Sequence, residues 1–471
     1  MAACERGNAV SGKAIDVVIV GQGAAGLAAA LAAAEEARER GRLARITLID
    51  KASADEAGGN TRWTPAYMRM AALDRVEPGF VHDMLAATQL QGDEVYFARL
   101  AREAPATMRW IAAHGVEFHQ PPYYLAKGPP RIQPVGGGAA IFRDLTSAAQ
   151  RCGVLLRHGC GAEALVTESG RIHGVRVKGG EVLAADAVVL ACGGFQGNRA
   201  MMREHLGPGA ESIPLLAPRA RFNTGDGIAM AKVLGAGTGG EWGGMHIEPV
   251  DPRSTNSAPV VLLYPYGVVV DRSGHRFFDE GGGLVHETWE WLARHVHFAL
   301  AGREAYAILD SRVLTIDGWQ RATRSEVPPF QSDTLAGLAR LIAVDADTLA
   351  ATVAAYNAAC IGDPARFDAT RCDGLAADRT LQPPKSNWAR AINVPPFLAW
   401  PLIGAIAYTF GGLTTDDRAR VLRADGSVIA GLYAAGEITG HFYVTAPNAV
   451  SVLRAFVFGL IAGREAVADV V

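Results

Sequence analysis

One stretch constrains the fold more than any other. Residues 15–50 place the β-branched run IDVVIV directly before GQGAAG, then LAAALAAAEEARERGR, then RITLID. The first run suits a strand buried on both faces, and the segment after the glycines is made of strong helix formers. Strand, glycine turn, helix and strand form a βαβ unit, whose parallel strands require the crossover helix. Gly21, Gly23 and Gly26 set the GxGxxG spacing at the strand-to-helix junction. There the first glycine permits a tight turn, the second lets a pyrophosphate approach the backbone, and the third lets helix and strand pack closely. The helix N-terminus adds free N–H groups and a partial positive charge. Asp50 ends the second run 24 residues beyond Gly26, near the spacing of an acid that accepts ribose hydroxyls. These residues predict nucleotide binding and leave NAD and FAD both open.

The 471 residues have room for roughly two to four structural units. The 45 basic and 48 acidic side chains leave a formal charge of −3, so no nucleic-acid partner is expected. The 54 glycines fall in short clusters between apolar runs, which excludes a disordered or fibrous chain. Cysteines at 4, 152, 160, 192, 360 and 372 form no CxxC. A disulfide framework, a zinc site and a c-type haem are therefore not expected, and no metal is assigned. Residues 1–14 lack the apolar core of a signal peptide and are expected to be a disordered leader. The late apolar stretch SVLRAFVFGLIAG carries Arg454 and two glycines, which favours a packed terminal helix over a membrane span. The expected location is cytoplasmic.

Along the chain, AADAVVLACGGF (184–195) reads as another strand running into paired glycines. After about residue 250 the texture changes. GVVVDRSGHRFF looks like a hairpin, residues 333–360 look helical, and the Pro-rich residues 382–401 look like an ordered connector. The last seventy residues return to glycine-punctuated strand and helix. One discontinuous nucleotide domain with a central insertion fits this order.

Further glycine clusters favour FAD: GGNT (58–61), NTGDG (223–227) and GLYAAGE (431–437). Together with LIDK, LACGG, RFFDE and GLYAAGEITG, in this order, they resemble the flavoprotein family of fumarate reductase and succinate dehydrogenase. GGNTRWTPAYMRM, RIQPVGGG, PPKSNWA and YTFGGL look most like the FAD-dependent tricarballylate dehydrogenases of that family. The flavoprotein portion of an oxygen-dependent precorrin-3B synthase is also similar. The resemblance implies an α/β fold: a Rossmann-like FAD-binding domain (15–246 and 408–471) interrupted by an inserted α+β capping domain (247–407). It implies that Gly21, Gly23, Ala24, Ala25 and Gly26 hold pyrophosphate, and that Asp50 and Lys51 flank the adenosine ribose. Gly59, Asn60 and Thr61 would approach phosphates and isoalloxazine. Ala164 would meet adenine, and Gly193, Gly194 and Asp226 would lie along the cofactor. Glu437 would bind the ribityl chain or ribose, with Ser451 and Val452 near the pyrimidine ring. Relatives that bind FAD covalently carry a His soon after the Asn-Thr pair. Here Arg62-Trp63-Thr64 follows, so a non-covalent flavin is expected.

The resemblance also exposes departures. Tyr408 stands where fumarate reductases have a His before Thr-x-Gly-Gly, HFYVTAPNA lacks their carboxylate-clamping Arg, and GGGLVHETW after Glu280 lacks their proton-delivery Arg. Fumarate reduction is disfavoured on these residues. The catalytic candidates are Arg131, among glycines that leave space for a ligand; Arg312, within one residue of the family's catalytic Arg; His246, at the start of the insertion; and Tyr408. Each has an ordinary structural alternative. His441 and Tyr443 read as structural, Arg62 as a flavin-side group or ion pair, and Arg276 and Glu280 as holding the cap together. The expected function is desaturation of a small polycarboxylate, tricarballylate to cis-aconitate, with electrons passing to a separate partner such as a membrane-associated iron–sulfur protein. Three alternatives stay open: an oxygen-using flavoprotein of corrinoid biosynthesis, a reductase of another unsaturated acid, and a non-catalytic flavin-loaded electron-transfer subunit.

Overall fold

The computed structural model describes residues 14–122, 125 and 128–470. The expected disordered leader therefore lies, Ala14 apart, outside the described residues.

The βαβ unit forms as β1 (Ile15–Val20), α1 (Ala24–Glu39) and β2 (Ala44–Ile49), with β1 and β2 parallel. IDVVIV alternates between two cores. Ile15, Val17 and Ile19 join one, and Val18 and Val20 the other, as a strand covered on both faces requires. The second strand stops one residue short of Asp50. The Asp50 carboxylate instead accepts from the Gln22 and Ala52 N–H groups, at 2.9 and 2.8 Å, and ties the glycine turn to the end of β2.

Strands β3 (Leu155–Arg157) and β4 (Ala187–Leu190) extend this parallel sheet on either side. The meander at 162–184 forms a separate three-stranded sheet.

The inserted unit is built on an antiparallel sheet. Its strands are β5 (Met245–Val250), β6 (Val268–Asp271), β7 (Ala305–Asp310), β8 (Phe330–Ser332) and β9 (Phe397–Thr409), in the order β5-β9-β7-β6 with β8 also on β9. Two clusters of its own, around Trp388, Trp400 and Leu398 and around Tyr356, Ile308 and Val353, form its core. The chain crosses between units inside β5 and β9, not in loops.

Three readings change here. GVVVDRSGHRFF is not a full hairpin: β6 pairs with β7, and only the bridge Val270–Arg276 links the two halves. The reason is local, since the Asp271 carboxylate takes the Ser273 and His275 N–H groups into a tight turn. Residues 333–360 are two helices, 335–341 and 346–359, broken where Ala343 adopts φ 55° and Asp345 caps the second helix through Thr348 N–H at 2.8 Å. The connector at 382–401 holds no helix, but its last five residues begin β9, the longest strand described. Their apolar side chains won over the prolines that flank them.

RFFDE and PPKSNWA meet. Arg276 pairs with Glu280 at 2.7 Å, and Lys385, fully buried, donates to the Pro265 and Gly267 carbonyls at 2.6 and 2.8 Å with Glu280 at 3.7 Å. Burial pulls Lys385 down to about 8.

After the insertion, β10 (Arg420–Leu422) and β11 (Val428–Ala434) complete the first sheet as β10-β11-β4-β1-β2-β3. The final helix, Ser451–Ala468, packs on α1 through Gly459 and Gly463, whose missing Cβ atoms leave room for the Ala25 and Ala29 backbone. No described helix is long and apolar enough to cross a membrane.

Candidate functional site

A long cleft opens at the carboxyl ends of β1, β2, β4 and β11 and continues under β5 and β9 of the inserted sheet. In open α/β sheets this is where ligands bind. The glycine turn supplies Gly21, Gly23, Ala24 and Ala25 to its wall. Gly23 caps α1, and a Cβ there would meet only Thr61 Oγ1 at 3.4 Å and Gly58 O at 4.0 Å, so the backbone stays open to a phosphate. The first N–H groups of α1 have no acceptor in their own helix, and Thr61 Oγ1 takes the one from Ala24 at 2.9 Å. Gly58 and Gly59, at φ 116° and 52°, turn the GGNT loop so that Gly59, Asn60 and Thr61 face the cleft.

Asp50 and Lys51 lie at one end. Lys51 Nζ bonds Asp226 at 2.6 Å and also meets Thr224. Gly193, Asp226, Glu437, Ser451 and Val452 complete the run. Glu437 is ringed by donors: Thr409 N–H, Asn60 and Asn223 at 3.3 Å, and Gln196 at 3.5 Å. Burial still pushes it up to about 7. Ser451 and Val452 open the final helix, whose N-terminus favours negative charge.

Three expected cofactor residues do not line the cleft. Gly26 lies behind the turn, where a Cβ would strike the Gly21 carbonyl, so its role is packing. Gly194 sits against Glu437 and Thr409 and positions Glu437. Ala164 pairs with Arg176 inside the small meander sheet, and Ala162 and Cys160 take its place at the wall.

The other end of the cleft brings together Arg131, His246 and Tyr408. Arg131 is buried, with its guanidinium 3.9 Å from the centre of the Tyr67 ring. Arg312 is not there. It is bound to Asp310 beside its own short helix and to the Ala391 carbonyl, in the inserted unit away from the cleft. Arg324 occupies the wall instead, 5.7 Å from the Tyr67 ring centre.

His246 sits between two carboxylates. Its Nδ1 meets Glu290 and its Nε2 meets Glu248 at 2.9 Å. Burial opposes a charge on the imidazole, yet the group is held well above its ordinary value. Burial also pushes Tyr408 up, so it stays a neutral phenol. The carboxylates of Glu290 and Glu248 therefore carry the rise in His246. Glu248 is buried too, but the His246 hydrogen bond and charge, with Arg324, hold it below the usual carboxylate value. Tyr408 accepts a hydrogen bond from Ser451 Oγ at 2.6 Å, and its ring centre lies 4.9 Å from that of His246.

Glu248, Glu290, Arg324 and Tyr67 were not among the sequence candidates. Glu248 had a signal, because the alternation of a strand puts residues 246 and 248 on one face; the others come from distant segments. His441 stacks on Tyr96 at 3.6 Å, bonds Thr415 at 3.1 Å and is lowered to about 3 by burial and Arg454. The Tyr443 hydroxyl accepts the Gly240 N–H at 3.1 Å. Arg62 donates to the Asp55 and Ala57 carbonyls at 2.8 and 3.1 Å, which holds the loop before GGNT; no ion pair forms there among the described residues.

The family described as FAD binding domain matches residues 16–449. A fumarate reductase (cytochrome) of Shewanella frigidimarina is 27% identical over 482 residues, spanning 96% of this chain and 77% of its own length. The 4-oxocyclohexanecarboxylate 2-dehydrogenase of Sinomonas cyclohexanicum is 29% identical, spanning 80% of this chain and 68% of its own. The open conformation of a flavocytochrome c3 fumarate reductase superposes with a TM-score of 0.75 at 24% identity, over 97% of this chain and 78% of that one, which identifies the fold. These relatives are flavin-dependent oxidoreductases acting on CH–CH bonds. The glycine turn, the ring of donors on Glu437 and the helix end at Ser451 fit FAD. The chain belongs to the FAD binding domain family, with fumarate reductase and succinate dehydrogenase flavoproteins among its homologues, and is a flavin-dependent oxidoreductase.

Proposed function

We propose that the protein is an FAD-dependent dehydrogenase that desaturates a small polycarboxylate, with tricarballylate to cis-aconitate as the working pair. The observation that carries this reading is the pair of guanidiniums, Arg131 and Arg324, brought over Tyr67 at the end of the cleft away from Lys51. A guanidinium grips a carboxylate through two parallel hydrogen bonds, and two of them suit an acid with more than one carboxylate. Trp63, Tyr67 and Trp289 line the same cleft, and apolar rings that keep water from a bound acid would strengthen those contacts. Bound FAD would supply the hydride acceptor. Tyr408 would exchange the proton on the neighbouring carbon, at the hydroxyl that Ser451 orients. We also propose that the flavin is dissociable, because no His follows Asn60-Thr61 and His246 in the cleft wall is engaged by two carboxylates. Electrons would leave to a separate partner, with a membrane-associated iron–sulfur protein as the candidate.

The reverse reaction, reduction of an unsaturated acid, is favoured by one observation. Burial holds Tyr408 in its proton-carrying phenol form, which suits donation to carbon.

An anaerobic visible spectrum tests both. Tricarballylate is expected to bleach the flavin band of the yellow protein, and cis-aconitate to restore it after chemical reduction. In Arg131→Ala the rate of bleaching should fall about 100-fold, the scale of a lost charged hydrogen-bond pair, with FAD retained. No response to either acid in either redox state would overturn the reading.

A further inference from the structure

Both ring nitrogens of His246 face carboxylate oxygens: Nδ1 faces Glu290 on helix 285–298, and Nε2 faces Glu248 two residues along β5. A neutral imidazole donates through one nitrogen only, so this arrangement calls for the doubly protonated ring. All three side chains are withdrawn from solvent, with exposures of 12% for His246, 15% for Glu248 and 7% for Glu290. Since neither ring nitrogen is left for a ligand, His246 does not itself take a substrate proton. It does lie beside Tyr408, whose ring centre is 4.9 Å away on the neighbouring strand.

We propose that His246 is a positioning residue, a positive charge fixed by Glu290 and Glu248, that stabilises the phenolate of Tyr408 at the moment a substrate proton is exchanged. In desaturation the Tyr408 phenolate takes the proton from the carbon next to a carboxylate, and the freed electron pair forms the carbon–carbon double bond. Bound FAD would accept the hydride that leaves the adjacent carbon. In the reverse direction the phenol returns that proton to carbon. Without a nearby cation a buried phenolate is strongly disfavoured, and the His246 charge already acts to lower Tyr408 against its burial.

The groups facing this cluster are consistent with a fixed cation. Arg324 lies near Glu248, Arg294 faces Glu290 and Glu241, and Arg454 on the final helix also acts to lower Tyr408. None of these supplies a second carboxylate to Tyr408 itself other than Glu290, which His246 separates by direct hydrogen bonding.

The kinetic half of this inference rests on the polycarboxylate reading, and the structural half does not. Nitrogen-15 NMR of the histidine-labelled, FAD-loaded protein is expected to show the His246 ring protonated on both nitrogens at pH 7, above the ordinary histidine range. That signal should vanish in His246→Asn and titrate at least one pH unit lower in Glu290→Gln. A neutral His246 at pH 7 in the unaltered protein overturns the proposal without any variant. In rapid-reaction measurements of flavin reduction by tricarballylate, the rise assigned to Tyr408 ionisation should move up by at least one pH unit in His246→Asn, with KM changed less than threefold. A fall in rate with an unmoved pH profile would mean a merely structural role and overturn it. If tricarballylate and cis-aconitate are both inert, the function fails while the NMR still decides the state of His246.

Discussion

Glu437 and Gly194 behave as one unit, because the glycine's lack of a side chain is what lets the carboxylate sit where it does. Glu437 is buried in the cleft wall and raised from its ordinary 4.5 to about 7. The folded protein therefore binds a proton that the unfolded chain has released between those values. Stability from this group is present below about pH 4.5 and is lost as pH rises through 7, by up to ~3 kcal/mol. In flavin-stripped protein, Glu437→Gln should be less stable or equal at pH 5 and gain about 2–3 kcal/mol relative to the parent by pH 8. Thermal unfolding at the two pH values measures the difference, and a constant gap would refute it. At this scale the sequence was legible where a motif fixes the backbone: Gly21, Gly23, Asn60, Thr61 and Glu437 all reach the cleft. It was misleading where only spacing from a relative was available. Arg312 has a neighbour, Asp310, two residues back that captures it, while Arg324, with no local mark, is delivered by the path of the chain.

The elements were readable when hydrophobic period and glycine punctuation agreed. β1, α1, β2 and the final helix follow from their own residues. Less legible was how closely the first and last helices approach. Gly459 and Gly463 in the last helix lie against the Ala25 and Ala29 backbone of α1, one turn apart on each helix. Small residues on both sides bring the start of the last helix, with Ser451, to the glycine turn that begins α1. Gly463→Ala would set a methyl group against the Ala29 carbonyl, which backbone cannot swing aside. The expected cost is about 1–3 kcal/mol of stability, with weaker FAD retention because both helix ends shift together. Thermal unfolding and the flavin-to-protein absorbance ratio after gel filtration report the two effects. An unchanged melting point would show that the helices can part freely. The prolines around residues 382–401 hid the start of β9, whose pairing with β7 and β8 is decided by partners far away in sequence.

At the scale of the molecule, the inserted unit has two apolar clusters largely its own, and it is pinned internally by Arg276, Glu280 and Lys385. Removing the shared carboxylate would leave two buried cations facing each other, at a cost of roughly 3–5 kcal/mol. Glu280→Ala should therefore loosen the inserted unit first. Limited proteolysis is expected to cut within residues 251–396 while residues 15–50 stay protected and FAD stays bound, and flavin bleaching by substrate is lost. Cleavage spread evenly over the chain would contradict the separation of the units. The general plan of a nucleotide domain with an insertion could be read from the order of glycine clusters. Which strands pair inside the insertion could not, since the partners lie far apart in sequence.

His246 and Tyr408 are register partners across β5 and β9, at the two places where the chain enters and leaves the inserted unit. An insertion whose ends are hydrogen-bonded neighbours can be cut out or exchanged without stretching what remains, because closing a short gap costs little chain entropy. The roof of the pocket is thus a cassette with its connectors side by side. Exchanging that roof would reshape the pocket while leaving the glycine turn at its other end unchanged.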